Sequence, residues 1–149
     1  MPKRIISHAE VLDRVTDIFC RYGYEGTSLS IVTRETGLGR ASLYYHFPGG
    51  KKEMAQKSLA YFLAKVRKRI LEPLEGKGPP AKRLRAMLRG MKGVFANGNR
   101  NCYLAAMSLT GHSEDLSRDM RRGVAGLVAA IAQFLAAAGI PPALAKERA

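Results

Sequence analysis

Residues 29–54 read LSIVTRETGLGRASLYYHFPGGKKEM, and this stretch divides into two short helical patterns around a turn that contains glycine. The spacing of apolar residues predicts a helix over 29–36, and residues 37–39, Gly-Leu-Gly, interrupt it. A second short helix is predicted from about Arg40 to Phe47. Two short helices joined by a turn of three or four residues with a glycine are typical of a helix-turn-helix.

The second short helix has one apolar edge and a surface suited to duplex DNA. Leu43 and Phe47, four residues apart, are predicted to face the core. Arginine is the side chain best matched to the O6 and N7 atoms of guanine, a small residue can approach a thymine methyl group, and hydroxyl groups can reach base edges. Tyrosine and histidine suit phosphate oxygens. The candidate DNA-contacting residues on this helix are Arg40, Ala41, Ser42, Tyr44, Tyr45 and His46.

Two further positions are predicted to bind phosphate. Lys51 and Lys52 begin the next helix, where a cation opposes the helix dipole and a bound phosphate would offset that conflict. Thr27, at the start of the helix over 29–36, offers a backbone N–H and a hydroxyl to a phosphate; Thr27 or Ser28 is the N-cap. The alternatives are that Tyr44 is half core and that the lysine pair is simply a solvated helix start.

The remainder of the chain is predicted to be helical, and we find no strand candidate. A first helix begins at Ser7, which forms a capping box with Glu10, and it ends near Gly23. The predicted class is therefore all-α, with a helix-turn-helix DNA-binding domain in residues 1–50 and a further helical domain in residues 51–149. The later elements are a connecting helix over 51–71, a linker over 72–80, and helices over 81–96, 102–110 and 113–138.

The charge of the chain favours a polyanionic partner. Lys and Arg total 25 against 12 acidic residues, which gives a net charge of +13 and favours nucleic acid or an acidic membrane surface. By sequence halves the excess is shared, with 13 basic and 7 acidic residues in 1–72, and 12 and 5 in 73–149. The basic run AKRLRAMLRGMKG is interpreted as a solvated face or a long-range attractor for DNA, with an anionic effector as an alternative; its cations are Lys82, Arg83, Arg85, Arg89 and Lys92.

Several classes of protein are disfavoured. His8, His46 and His112 lie on different segments without partners at triad or metal-ligand spacing, so we expect no enzyme, no metal and no cofactor. Cys20 and Cys102 lack metal spacing and indicate a reducing compartment. The N-terminus has no signal-peptide core, and the longest apolar run is shorter than the roughly 20 residues of a membrane span, so a cytoplasmic protein without a membrane partner is expected.

The segment GTSLSIVTRETGLGRASLYYHFPGGKKEM, residues 26–54, resembles the DNA-binding segment of TetR/AcrR transcriptional regulators, in particular the LmrA/YxaF-type subgroup. The resemblance extends from about Ser7 to Phe62. It implies that Thr27, the polar residues of the helix over 40–47, and Lys51 contact operator DNA. It also implies repression, a homodimer and a small-molecule effector, with residues 51–149 as the effector-binding and dimerisation domain. Family members usually continue through two more helices that build the dimer interface, which leaves the helix over 113–138 as the candidate dimerisation element here.

The effector pocket is expected among the apolar residues beyond the helix-turn-helix, although core packing is the alternative for most of them. The candidates are Phe62, Met87, Met91, Phe95, Cys102, Leu104 and Met107. The resulting prediction is a sequence-specific, DNA-binding transcriptional repressor that a small molecule releases from its operator. The alternative is a basic helical protein that binds DNA architecturally, or a membrane surface, without an effector.

Overall fold

A computed structural model describes residues 6–109, 111 and 113–149, and within these ranges the chain is helical and contains no strand. The all-α prediction is confirmed. The helices are α1 (His8–Gly26), α2 (Leu29–Thr36), α3 (Arg40–His46), α4 (Gly50–Val66), α5 (Glu72–Glu75), α6 (Pro80–Val94), α7 (Tyr103–Ser108), α8 (Glu114–Ala137) and α9 (Pro142–Arg148). The predicted helix end at Thr110 and the third histidine, His112, lie outside the described residues.

The start and end of α1 follow local signals in the sequence. Ser7 Oγ accepts the backbone N–H of Glu10 at 3.2 Å, as the capping box predicts. Gly23 interrupts the helix with a positive φ of 66°, a conformation that costs glycine little because it has no Cβ. The predicted stop at Gly23 is therefore confirmed, and the three residues after it form one more helical turn.

The helix-turn-helix has the bounds that the sequence predicts. Ser28 caps α2 by accepting the N–H of Ile31 at 3.2 Å, and Gly37, with φ of 72°, ends α2 in the left-handed conformation. Leu43 and Phe47 are fully buried, so α3 packs by the predicted apolar edge. Gly39, the N-cap of α3, supplies no side-chain hydrogen bond.

The chain forms two compact units. Unit 1 comprises residues 1–62 and 101–116, and unit 2 comprises residues 63–100 and 117–149. The division falls inside α4 because α7, although distant in sequence, packs on α1. Tyr103 on α7 is fully buried: its hydroxyl donates to the carbonyl of Ala55 at 2.8 Å, and its ring stacks on Phe62 at 5.6 Å. Burial raises the pKa of Tyr103, so it stays a neutral donor.

Unit 2 continues the connecting helix further than the sequence predicts. A π-helical turn, Arg67–Leu71, follows α4 and leads directly into α5, where Leu74 is buried. The prediction of a linker over 72–80 is thus wrong for residues 72–75. Pro73 has no N–H to donate to the carbonyl of Arg69, four residues earlier, and its ring crowds that carbonyl. The wider π-helical turn, in which the N–H of Glu72 donates to the carbonyl of Arg67, accommodates this proline without ending the helix.

The carbonyl of Arg69, which Pro73 cannot use, also lies very close to α6. A Cβ placed on Gly90 of α6 would lie 1.6 Å from that oxygen, less than half of an ordinary contact distance. Glycine is therefore required at position 90 for the packing of α6 against the π-helical turn. Val94 is buried one turn later on the same side of α6.

The long helix α8 is amphipathic and mostly exposed. Ser113 Oγ accepts the N–H of Leu116 at 3.4 Å, as predicted for its cap. Among the described residues α8 is the helix long and apolar enough to cross a membrane, by length and composition only. This finding corrects the expectation, drawn from the length of its apolar run, that no such helix exists.

Candidate nucleic-acid interface

Helix α3 presents a polar and aromatic surface opposite its buried edge. Arg40 and Ala41 are exposed in its first turn. Tyr45 is 83% exposed and Tyr44 is 46% exposed. About half of Tyr44 is thus covered, as its half-core alternative predicts. A tyrosine with most of its ring in solvent gains nothing from core packing, which points to a ligand or partner for Tyr45. Ser42 is half-buried.

His46 closes the C-terminal end of α3 against the start of α1. Its Nδ1 lies 3.1 Å from Nδ1 of His8, and the ring centroids are 5.3 Å apart, so the two nitrogens point at each other. The pKa of His46 is lowered, first by partial burial and then by the charges of His8 and Lys57. Lys57 also donates to the backbone carbonyl of His46 at 3.3 Å. His46 therefore holds α3 in place as well as standing beside its outer face.

The start of α4 carries an internal anion in addition to its lysines. Glu53 accepts the N–H of Gly49 at 2.6 Å and pairs with Lys57 at 2.7 Å, and both contacts lower the pKa of its carboxyl group. The conflict between the helix dipole and the lysine pair is thus already reduced by a carboxylate of the chain itself. A bound phosphate is not needed to offset it, contrary to the reasoning from the sequence.

The two lysines at the start of α4 differ in their surroundings. Lys51 Nζ lies 4.5 Å from the centroid of the Tyr24 ring, a cation–π contact that holds the ammonium group at one place. Lys52 Nζ lies 3.5 Å from Asp115, but both side chains are more than half exposed, so this ion pair is weak and can yield to another anion. Both remain candidates for phosphate contact.

Thr27 is not available to a phosphate. The residue is 1% exposed, its hydroxyl donates to the carbonyl of Gly23 at 2.7 Å, and its N–H donates to the carbonyl of Tyr24. Both donors already form hydrogen bonds at the end of α1, so the predicted phosphate role of Thr27 is wrong. Ser28 next to it is exposed and uses only its oxygen as an acceptor in the cap of α2, which leaves its hydroxyl hydrogen for a ligand. From the sequence alone, either Thr27 or Ser28 could be the N-cap of α2.

The positive charge is distributed unevenly between the two units. Unit 1 holds 9 Lys and Arg against 8 Asp and Glu, whereas unit 2 holds 16 against 4. The net charges are thus +1 and +12, and the even sharing between sequence halves does not describe the folded chain. The unit that contains the helix-turn-helix is therefore nearly neutral, and the positive charge at the helix-turn-helix comes from a few local cations.

The predicted effector residues fall into both units. Phe62 and Met107 are buried in the core of unit 1, which favours the alternative of core packing for these two residues. Cys102 and Leu104, half-buried, belong to the same unit, and Met87 is half-buried in unit 2. Met91 and Phe95 do line an open cavity of about 400 Å³ in unit 2, together with Lys92, Asn97 and Gly98. Within the described ranges, no three His, Cys, Asp or Glu side chains come together in a way that could hold a metal ion.

Comparison with known proteins finds similarity to one family of bacterial regulators. Residues 11–57 match the model of bacterial regulatory proteins of the tetR family. The HTH-type transcriptional regulator LmrA of Bacillus subtilis (strain 168) is 33% identical over 90 residues, which are 60% of this chain and 48% of LmrA. The chain thus spans about half the length of the curated relatives it matches.

Two solved structures are similar in fold. The crystal structure of a TetR family transcriptional regulator from Agrobacterium tumefaciens has a TM-score of 0.73 at 21% identity, over 88% of this chain and 70% of that chain. The TetR family regulator CifR, in a cysteine-substituted form complexed with a 26-bp double-strand operator DNA, has a TM-score of 0.60 at 25% identity, over 99% of this chain and 91% of that chain.

Proposed function

We propose that the chain is a DNA-binding transcriptional repressor that reads its operator with α3, since residues 11–57 match the model of bacterial regulatory proteins of the tetR family. The observation that carries the proposal is the division of α3 into two sides. Leu43 and Phe47 anchor the helix in the core, while Arg40, Ala41 and Tyr45 face solvent. A helix fixed on one side with arginine in its first turn can enter a major groove with its N-terminal residues at base edges.

The proposed roles differ along the interface. Arg40, Ala41 and Ser42 contact bases, and Tyr44, Tyr45 and His46 contact phosphate and sugar. Lys51 and Lys52 contact phosphate at the start of α4, with the hydroxyl of Ser28 in place of Thr27. Residues 1–50 and the lysine pair at the start of α4 thus bind DNA, and the remainder of residues 51–149 binds the effector and forms the dimer.

The proposed assembly is a homodimer, since two half-sites one DNA turn apart require two recognition helices. The support lies on α8, where an apolar stripe at helical spacing is only partly covered within its unit. The stripe consists of Val124, Leu127, Val128, Ile131 and Leu135, and Val124 is 44% exposed. A second copy that covers this stripe would keep the protein in the cytoplasm and off the membrane.

Selection of bound duplexes from a random pool tests the proposed function. A sequence-specific regulator enriches one motif, and a two-fold symmetric motif follows from a dimer. Tyr45→Ala should weaken binding to the enriched duplex while the melting temperature stays unchanged, because the side chain makes little contact with the core. Enrichment of no motif, with equal affinity for all duplexes, would favour the architectural alternative. Sedimentation velocity of wild type and Val128→Glu tests the dimer: a loss of dimer in the variant supports the α8 stripe.

A further inference from the structure

Helix α6 has an exposed apolar stripe and an exposed cationic stripe on the face that points away from the rest of unit 2. Its packed side is fixed by Gly90 against the carbonyl of Arg69, by buried Val94, and by Arg83. Arg83 Nε donates to the carbonyl of Leu74 at 2.8 Å, and its guanidinium lies 5.0 Å from the Phe134 ring. These three anchors leave the opposite half of α6 in solvent.

The exposed half has two parallel rows. Leu84, Leu88 and Met91, which share one side of the helix by their spacing, are 41%, 48% and 37% exposed. The adjoining row consists of the exposed cations Lys82, Arg85, Arg89 and Lys92. Three large apolar side chains in one line on a water-facing helix mark a binding surface rather than scattered surface residues.

The charges around α6 specify an anionic occupant. Helix α6 has no acidic residue. Two of the four acidic residues of unit 2 already pair with other arginines, Glu75 with Arg67 and Asp119 with Arg122. The net charge of +12 in this unit therefore lacks internal compensation along α6.

The apolar row ends in a cavity of ligand size. Met91 belongs both to the row and to the lining of the cavity of about 400 Å³, whose other walls are Lys92, Phe95, Asn97 and Gly98. The backbone has positive φ at Ala96, Asn97 and Gly98, and the last two of these residues line the cavity. A volume of this size is within the range of small-molecule sites, which combine apolar walls with a few polar groups.

We propose that α6 binds an anionic amphiphile, with its apolar chain along Leu84, Leu88 and Met91 and its carboxylate at Arg89 and Lys92. A bare polyanion such as duplex DNA would pair with the cations and leave the apolar row in water, whereas an amphiphile covers both rows. The site stands on the geometry of α6 alone. Its role as the effector site of the repressor rests on the function proposed above.

Calorimetric titration of the full chain with decanoate, without DNA and below micelle formation, tests the site. We expect saturable binding, about tenfold weaker for decanol, which lacks the charge, and undetectable binding for butyrate, which lacks the chain. Arg89→Gln and Lys92→Gln should each weaken decanoate binding by roughly three- to fivefold and leave decanol unchanged. Lys146→Gln, an exposed lysine on α9 of the same unit, is the matched control and should bind as wild type does.

Three results would overturn the site. The first is the same affinity for decanoate in wild type and in Arg89→Gln/Lys92→Gln. The second is binding to vesicles rich in anionic lipid with none to monomeric decanoate, which would assign the face to a bilayer. The third is a dimer that Leu88→Ser dissociates while decanoate binding is unchanged, which would assign the face to a second copy. Circular dichroism melts of each variant exclude unfolding as the cause.

A DNA measurement then separates the two proposals. If decanoate lowers the affinity of wild type, but not of Arg89→Gln/Lys92→Gln, for a selected duplex, the site is the effector site. If decanoate binds and DNA affinity is unchanged, the site stands and its effector role is refuted. If no duplex is selected at all, the repressor proposal fails while the calorimetric result still decides the site.

Discussion

Replacing Gly90 with alanine tests the contact between α6 and the π-helical turn most sharply. The new methyl group would lie 1.6 Å from the carbonyl oxygen of Arg69, and real Cβ atoms essentially never approach a heavy atom within 3.0 Å. Relief therefore requires a relative shift of backbone of about 1.5 Å or more, since neither atom belongs to a flexible side chain. Forcing a methyl group into packed structure costs about 1–3 kcal/mol, and more where backbone must move.

The intrinsic preference for helix acts in the opposite direction and is smaller. Alanine stabilises a helix interior by about 0.5–1 kcal/mol relative to glycine. Because backbone must move here, the net expectation for Gly90→Ala is a destabilisation of about 2 kcal/mol or more. Gly126 on α8 is the matched control, because a Cβ there meets nothing within 4 Å. Gly126→Ala should therefore only gain stability, through the higher helix propensity of alanine.

Urea unfolding followed by circular dichroism at 222 nm measures both variants against wild type. The expected result is a lower midpoint for Gly90→Ala and an equal or higher midpoint for Gly126→Ala. A Gly90→Ala variant as stable as Gly126→Ala would refute the close approach of α6 to Arg69. It would also remove the packed side from which the exposed face of α6 was assigned.

Three more predictions concern the helix-turn-helix. Thr27→Val removes a buried hydroxyl, so the free energy of unfolding should fall by about 1 kcal/mol. The salt dependence of DNA binding should stay as in wild type. A smaller salt slope at unchanged stability would instead show that Thr27 binds phosphate. Lys51→Ala should reduce the slope of log K against log salt by about one unit, with Lys146→Ala as a control that leaves the slope unchanged; an unaltered slope in Lys51→Ala means that Lys51 touches no phosphate. The pKa of His46 is lowered in the folded chain from an ordinary value of about 6.5. Near and below pH 6.5 the unfolded state therefore binds more protons than the folded state. The free energy of unfolding should be largest above pH 6.5 and should fall as the pH decreases through that value. Melting temperatures between pH 5 and 7.5 measure this, His46→Gln should flatten the dependence, and a wild-type melting temperature that rises on acidification would contradict it.

The helix-turn-helix could be predicted from the sequence because its boundaries depend on neighbouring residues. A serine oxygen caps α2, and glycine with positive φ ends it; both are properties of two or three adjacent positions. The buried edge of α3 follows from the four-residue spacing of Leu43 and Phe47 for the same reason. The resemblance to a family then assigned the outer face of α3 to DNA.

The predictions that failed depended on burial or on backbone geometry that the residue types alone do not specify. Thr27 and Ser28 are equivalent caps in sequence, and only the burial of Thr27 under the end of α1 separates them. Pro73 predicts the end of a helix, but the π-helical turn before it accommodates the proline, and the helix continues into α5 with Leu74 buried. The segregation of charge into unit 2 was hidden because residues 101–116 fold with the N-terminal helices.

The central claim, that α3 reads base sequence, is tested most directly by the affinity of Arg40→Ala for the selected duplex and for a scrambled duplex of equal length and composition. The account predicts that the substitution costs about 1–3 kcal/mol on the selected duplex and much less on the scrambled one, so that the ratio of the two affinities falls about fivefold or more. An unchanged ratio, with equal losses on both duplexes, would show that Arg40 contributes charge alone and that α3 does not read bases through it.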